Sequence, residues 1–268
     1  MTHPFDKAIA LVRQGDGSFA GHTSPAYANM VGPFGGIMAA QTLNAVVQHP
    51  DRLGEPLSFT VNFAAALADG PFSILAKAAR TNRSTQHWVV EVVQDGQTAL
   101  TATVITAVRR QTWGLDEAPM PQVSAPANTP RMLHVPPLEW VKRYELRGIT
   151  GNLPGVWDGL DIGHSLSQLW LRELEPRPLD FCALAAMADV FFPRVYVRRP
   201  RRVPIGTVSM TVYFHANAAA LLQAGDGYVL AQARAQAFRN GFFDQTAQLW
   251  GEAGMLLATS HQMVYFKA

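Results

Sequence analysis

Asp189 is the single carboxylate in an otherwise apolar stretch, Leu184-Ala-Ala-Met-Ala-Asp-Val-Phe-Phe-Pro193, which reads as a buried helix with the acid in its middle. An ionised carboxylate in such surroundings is costly unless something pairs with it. A carboxyl whose ionisation is displaced by its environment is a candidate general base or water-orienting acceptor. The bland alternative is a structural or solvent-facing Asp. A second feature lies far earlier. Pro33-Phe-Gly35-Gly36 opens a helical pattern, Ile37 to Val47. Glycines at a helix mouth let a ligand approach free N–H groups, or let the helix pack closely on a sheet.

Other chemistries find less support. No Gly-x-Ser-x-Gly elbow is present, which argues against a serine esterase. His215 and His261 sit in strand patterns without an evident acidic partner. Cys182 is the one cysteine, so no intrachain disulfide forms, and it reads as a small core residue. No Cys/His cluster has metal-ligand spacing, so neither a structural zinc nor another cofactor is expected. The cluster Arg198-Arg-Pro-Arg-Arg202 suits phosphate groups through Arg199 and Arg201, although a solvated loop is the commoner explanation.

These residues sit in a chain of 268 residues, 48% hydrophobic and 16% charged, enough for one large domain or two small fused ones. A net charge of +2 gives no case for nucleic acid. No apolar run approaches the ~18 residues of a membrane span. Met1-Thr-His-Pro-Phe-Asp-Lys lacks the pattern of a signal peptide. The expectation is a cytoplasmic protein.

In order, the pattern predicts a short helix from Phe5 to Val12 and an extended segment from Ser18 to Asn29. The helix entered at Gly35-Gly36 comes next. Strands follow over Leu57–Leu67, Phe72–Ala79, Trp88–Val93 and Ala99–Val108, the last two flanking a hairpin at Asp95-Gly96. Prolines from Pro119 to Pro137 mark a linker over 111–137. Beyond it, Trp140–Leu146 and Leu166–Arg172 read as extended, then the Asp189 helix. Strands over Thr207–His215, Tyr228–Arg239, Phe242–Gly251 and Met255–Phe266 complete the chain. Ser58-Phe-Thr-Val-Asn-Phe63 aligns with Ser209-Met-Thr-Val-Tyr-Phe214, a shift of 209 − 58 = 151. Asp95-Gly96 aligns with Ala253-Gly254 at a similar offset. Two matches in the same order of elements indicate a duplicated unit of helix plus antiparallel sheet, the α+β class. The units are expected at 1–110 and 138–268.

Val31-Gly-Pro-Phe-Gly-Gly-Ile-Met-Ala-Ala-Gln-Thr-Leu43 resembles the entry to the first helix of the acyl-CoA thioesterase II family. Gln168-Leu-Trp-Leu-Arg172, Leu184-Ala-Ala-Met-Ala-Asp189, Gly206-Thr-Val-Ser-Met-Thr-Val-Tyr-Phe-His215 and Ala258-Thr-Ser-His-Gln262 resemble its second half, in order. The resemblance implies a double hotdog fold, two sheets each wrapped around a helix. It implies hydrolysis of an acyl-CoA to free acid and CoA, with a water held by Asp189, Thr207 and Gln262. Gly35 and Gly36 are then the first candidates to polarise the thioester carbonyl. A hotdog hydratase is disfavoured, because Val190-Phe-Phe-Pro-Arg194 carries no His. A non-catalytic acyl-CoA-binding protein of the same fold is the alternative. Sheet edges in such a fold invite a homo-oligomer.

The strand patterns test this triad unevenly. Gln262 and Ser260 share the parity of Leu256, Ala258, Val264 and Phe266, the face turned to the helix. Thr207 falls on the opposite parity to Val208, Met210, Val212 and Phe214. It reaches the site only at a bend or if that other face lines the site, and Thr211 is the fallback by parity. The family's acid and His after the Thr-x position are Ser209 and Met210 here. These departures bear on how the Thr is held and on the acyl group preferred.

Overall fold

The structure is a computed structural model that describes residues 2–132 and 138–267. The N-terminal helix α1 (Pro4–Ala8) stops well short of Val12. Its cap is the ring of His3, which accepts from Phe5 N–H. Strands β1 (Val12–Arg13) and β2 (Phe19–His22) follow, then a 3₁₀ turn at Pro25–Tyr27. Helix α2 (Gly35–Val47) is buried on every side from Gly36 to Val46, which fits its nearly continuous apolar sequence.

Four long strands complete the first half: β3 (Glu55–Phe63), β4 (Pro71–Thr81), β5 (Thr85–Gln94) and β6 (Gln97–Ala107). Asp95 and Gly96, both at positive φ (51° and 74°), make the tight turn between β5 and β6. In the second half Trp140 belongs to a 3₁₀ turn, Glu139–Arg143, and only then does β7 (Tyr144–Thr150) begin. After β8 (Ser167–Glu173) comes helix α3 (Phe181–Met187), capped by Asp180. Two short helices were not expected: α4 (Arg194–Arg198) and α5 (Ala218–Ala224). Strand β9 (Ile205–Phe214) lies between them. The run expected over Tyr228–Arg239 is broken into β10 (Val229–Arg234) and β11 (Phe238–Arg239). Strands β12 (Phe242–Gly251) and β13 (Leu256–Phe266) finish the fold.

Among the described residues the thirteen strands form one antiparallel sheet, in the order β1-β2-β4-β5-β6-β3-β9-β13-β12-β10-β8-β7, with β11 on β12. The duplicated segments meet at its centre. β3 pairs with β9, and Thr60 lies directly opposite Thr211, its match under the 151-residue shift, with their hydroxyls 3.0 Å apart. The internal repeat is thus a pseudo-twofold passing between these threonines. The sheet wraps α2 and α3, which run antiparallel. A Cβ added at Gly36 would meet Ala186 O at 2.6 Å, while Cys182 Sγ lies 3.9 Å from Asn44 Oδ1.

Residues 111–132 form no regular element beyond a 3₁₀ turn at Pro126–Asn128. They are nevertheless tied down: Trp250 and Trp170 donate indole N–H groups to Ala118 O (3.0 Å) and Ser124 O (2.8 Å). Pro136 and Pro137, the end of the Pro-rich stretch, lie outside the described residues. The sheet ends are modest. β1 has two residues, and β7 carries a bridge from Arg131 to Arg147. The open edges on which oligomerisation was argued are therefore short or partly covered. No helix among the described residues is long and apolar enough to cross a membrane.

Candidate active site

Asp189 is not in the middle of a helix. Helix α3 ends at Met187, and Asp189 sits in the turn beyond it, its N–H bonded to Ala186 O at 3.1 Å. The antiparallel packing delivers that turn to the N-terminus of α2. A Cβ on Gly35 would stand 2.7 Å from Asp189 Oδ2, so only glycine leaves room for the carboxylate there. The backbone of Gly36 lies close enough to the same carboxylate to favour its ionised form. The positive end of α2 favours the anion.

Gln262, from β13, supplies the second restraint. Its amide Nε2 donates to Asp189 Oδ1 at 2.9 Å and also lies 3.3 Å from Ala188 O and from Met210 Sδ. Met210, the departure from the family pattern, thus braces the glutamine. Desolvation pushes the Asp189 carboxyl up to about 7, against the opposing pull of the Gln262 and Gly36 hydrogen bonds. A carboxyl poised there suits proton abstraction near neutral pH.

Thr207 reaches the same place through a β-bulge. Met263 faces Ser209, but the next residue, Val264, faces Thr207, so Val208 is the extra residue on β9. The bulge reverses the side-chain alternation. Val208 turns out to solvent at 40% exposure, against its expected inward parity, and Thr207 turns in to border the cavity with Asp189 and Gln262. Thr211 is excluded as the alternative, since it bonds Thr60 on the outer face.

The cavity has a volume of about 310 Å³. Its walls include Phe34, Trp140, Trp157, Phe191, Phe192 and Phe243, and Phe34 stacks on Trp140 at 4.3 Å between ring centroids. Arg202 borders the mouth with its guanidinium 5.0 Å over the Trp157 ring. Arg199 and Arg201 are exposed and do not border the cavity, while Arg198 is paired with Asp161 at 2.7 Å. Within the arginine cluster it is the last member that meets the site.

His261 does have an acidic partner, Asp244, 3.2 Å away, which the sequence reading missed. That pair is on the outward face of the sheet. His215 contacts Thr259 at 3.0 Å. Neither histidine borders the cavity. Among the described residues no group of His, Cys, Asp or Glu could hold a metal. The sequence reading also missed Gln245, directly across from Gln262 on β12 and bordering the cavity. Its signal was available, because Gln245 shares the inward parity of Phe243, Ala247 and Leu249.

Residues 24–107 match the family model of the acyl-CoA thioesterase N-terminal domain, and residues 116–266 match that of the C-terminal domain. A conserved protein of unknown function with a hot dog fold, from Alicyclobacillus acidocaldarius, is 47% identical. The match covers 100% of this chain and 99% of that one at a TM-score of 0.94. The tesB protein of Mycobacterium avium subsp. paratuberculosis (18% identity, 98% of both chains, TM-score 0.80) shares the fold. So does the acyl-CoA thioesterase II TesB2 of Mycobacterium marinum (17% identity, 98% of both chains, TM-score 0.76). A comparison with functionally curated proteins returns no match.

Proposed function

The chain belongs to the acyl-CoA thioesterase family, and from that premise we propose that it hydrolyses an acyl-CoA to the free acid and CoA at the Asp189 site. The observation that carries this reading is the Asp189–Gln262 pair, held at 2.9 Å beside Thr207 at the wall of an apolar cavity. A water placed among these groups loses a proton to Asp189 while its oxygen bonds to the thioester carbonyl carbon. Collapse of the tetrahedral intermediate breaks the C–S bond, and the proton passes from Asp189 to the departing sulfur. Gln262 fixes the carboxylate, and the Thr207 hydroxyl holds the water.

The developing oxyanion forms near the N-terminus of α2, with Gly35 and Gly36 the nearest backbone donors. As Asp189 gains its proton, its hold on the Gly36 N–H weakens, and that donor turns to the oxyanion as charge appears there. The aromatic walls take the acyl group. Arg202 at the mouth, with Arg199 and Arg201 along the strip outside it, faces the phosphates of CoA. The same reading takes the chain as a homo-oligomer, which light scattering checks.

The test is release of free thiol from a panel of acyl-CoAs, short to long and aromatic, by wild type and Asp189→Asn. Turnover that collapses in the variant supports the proposal. Absence of turnover on every member, or equal turnover in both proteins, overturns it in favour of an acyl-CoA-binding role.

A further inference from the structure

The loop over 152–163, between β7 and β8, forms no regular element, and a loop in water is ordinarily polar. This one carries five large apolar side chains. Leu153 and Trp157 turn inward and border the cavity. Val156, Leu160 and Ile162 turn outward and are 49–69% exposed. From the first half of the chain, Met30 borders the same cavity yet is 57% exposed, and the adjoining Val31 is 75% exposed. The bonds that hold the loop in place are polar. Gly159 N–H donates to Pro200 O at 2.9 Å, Ile162 N–H donates to Arg198 O at 3.0 Å, and Asp161 pairs with Arg198 at 2.7 Å. Folding therefore leaves the outward aliphatic groups in contact with water.

Those same bonds lay the loop along Arg198-Arg-Pro-Arg-Arg202. A Cβ on Gly159 would stand 3.9 Å from Arg201 Cβ, and the Arg202 guanidinium covers the Trp157 ring. On this rim four arginines face two aspartates, Asp158 and Asp161. Asp161 is taken by Arg198, and Asp158 accepts from Leu160 N–H at 3.0 Å. Arg199, Arg201 and Arg202 are exposed and form no ion pair among the described residues. The mouth is thus bordered by aliphatic side chains and free guanidinium groups together.

We propose that this rim is a docking surface for an anionic lipid membrane. Val156, Leu160, Ile162, Met30 and Val31 enter the acyl layer, and the arginines lie at the level of the lipid phosphates. The guanidinium fork suits phosphate oxygens. The aliphatic groups protrude rather than line a groove, so a folded partner would need a pocket for each of them, whereas a lipid surface accepts any arrangement. The cavity mouth then opens onto the bilayer. The arginine strip assigned above to the CoA phosphates lies in the headgroup layer, where the CoA of a membrane-held acyl-CoA also lies. Docking itself requires no turnover, so it stands or falls separately from the thioesterase reading.

The experiment is sedimentation of the full chain with vesicles of phosphatidylcholine alone or with about 30% phosphatidylglycerol, without substrate and at low salt. A basic residue near an anionic surface is worth about fivefold in binding, so the expected preference for the anionic vesicles is at least about 10-fold. Arg199→Gln/Arg201→Gln is expected to weaken that binding roughly 20-fold. Val156→Ser/Leu160→Ser, two changes at exposed side chains, is expected to weaken it about 10-fold or more. Cys182 is buried, so a polarity-sensitive fluorophore attaches selectively at Leu160→Cys, with Leu75→Cys on the exposed face of β4 as the control. The label at 160 should report an apolar environment on anionic vesicles, and the label at 75 should not. Absence of binding, equal binding to both vesicle types, or binding that leaves the label at 160 in water overturns the proposal. So does loss of a self-associated form in Val156→Ser/Leu160→Ser by light scattering, which would give the rim to a second copy. Binding to an acidic carrier protein but to neither vesicle would give it to a protein partner, and overturns it likewise.

Discussion

Gln262 holds one oxygen of Asp189 at 2.9 Å, while the other oxygen lies against Gly35, where a Cβ would stand 2.7 Å away. The carboxylate is thereby clamped between a strand and a helix mouth. Asp189 must be ionised to accept a proton, and desolvation raises its carboxyl to about 7. The expected kcat/KM therefore climbs as pH rises through about 7 and levels off above it. Gln262 opposes the rise by bonding the ionised form, so Gln262→Leu moves the midpoint to higher pH and lowers activity at pH 7. A pH profile of both proteins checks the sign. A midpoint that stays put or moves to lower pH contradicts it.

Gly35→Ala tests the other side of the clamp. The added methyl displaces a carboxylate oxygen and leaves most of the α2 packing in place. A displacement on the scale of 1 Å costs roughly 100-fold in turnover. The expected outcome is that loss in kcat with a far smaller change in thermal midpoint. Gly36→Ala is different in kind. Its Cβ would meet Ala186 O at 2.6 Å and the Phe34 ring at 2.5 Å, so it forces α2 and α3 apart and lowers stability together with activity. Unchanged turnover in Gly36→Ala would argue against a role for that N–H.

Glu173 gives the fold a pH dependence unrelated to the active site. It is 5% exposed at the end of β8, directly across from Tyr144, and neither of its oxygens has a hydrogen-bond partner among the described residues. Desolvation pushes its carboxyl from an ordinary 4.5 up to about 8, despite the attraction of Arg177. A carboxyl whose folded value is raised contributes most below its unfolded value, and that contribution drains away as pH rises through the folded value. The loss between pH 4.5 and 8 is on the order of 5 kcal/mol at most. Urea unfolding at pH 6 and pH 9 should show the alkaline weakening, and Glu173→Gln should reduce the difference.

Strand alternation and a 151-residue self-match were enough to find the long strands, the duplicated plan and the inward face of Gln262. The failures have specific physical origins. Alternation alone brings Thr207 to the site only if the strand bends, and it cannot say whether it does: the bulge at Val208 that supplies the bend is set by pairing with β13, which no local pattern encodes. Asp189 reads as helical from the sequence because helix and following turn are equally apolar from Leu184 to Phe192, so hydrophobicity carries no boundary signal. The approach of Gly35 to Asp189 spans 154 residues and depends on helix–helix packing. Glycines at a helix mouth hinted at a close neighbour without saying which.

Arg194 is the last of the buried charges to test, and it supports the cavity wall from behind. It is fully buried, and its guanidinium donates to Phe192 O twice, to Ser165 O at 2.9 Å and to the Ser167 hydroxyl at 2.8 Å. Those bonds tie the Phe191–Phe192 segment, which borders the cavity, to the start of β8. Phe191 itself lies 5.7 Å from the cation. No described carboxylate pairs with it, and desolvation pulls its ionisation down to about 9. The planar fork satisfies several acceptors at once, so Arg194→Lys leaves some unpaired and Arg194→Met leaves all of them so. The expected loss in unfolding free energy is about 1–3 kcal/mol for Lys and more for Met. Because the arginine reaches the substrate only through Phe191 and Phe192, both variants should raise KM more than they lower kcat. A kcat loss with KM unchanged would instead place Arg194 in the chemistry itself.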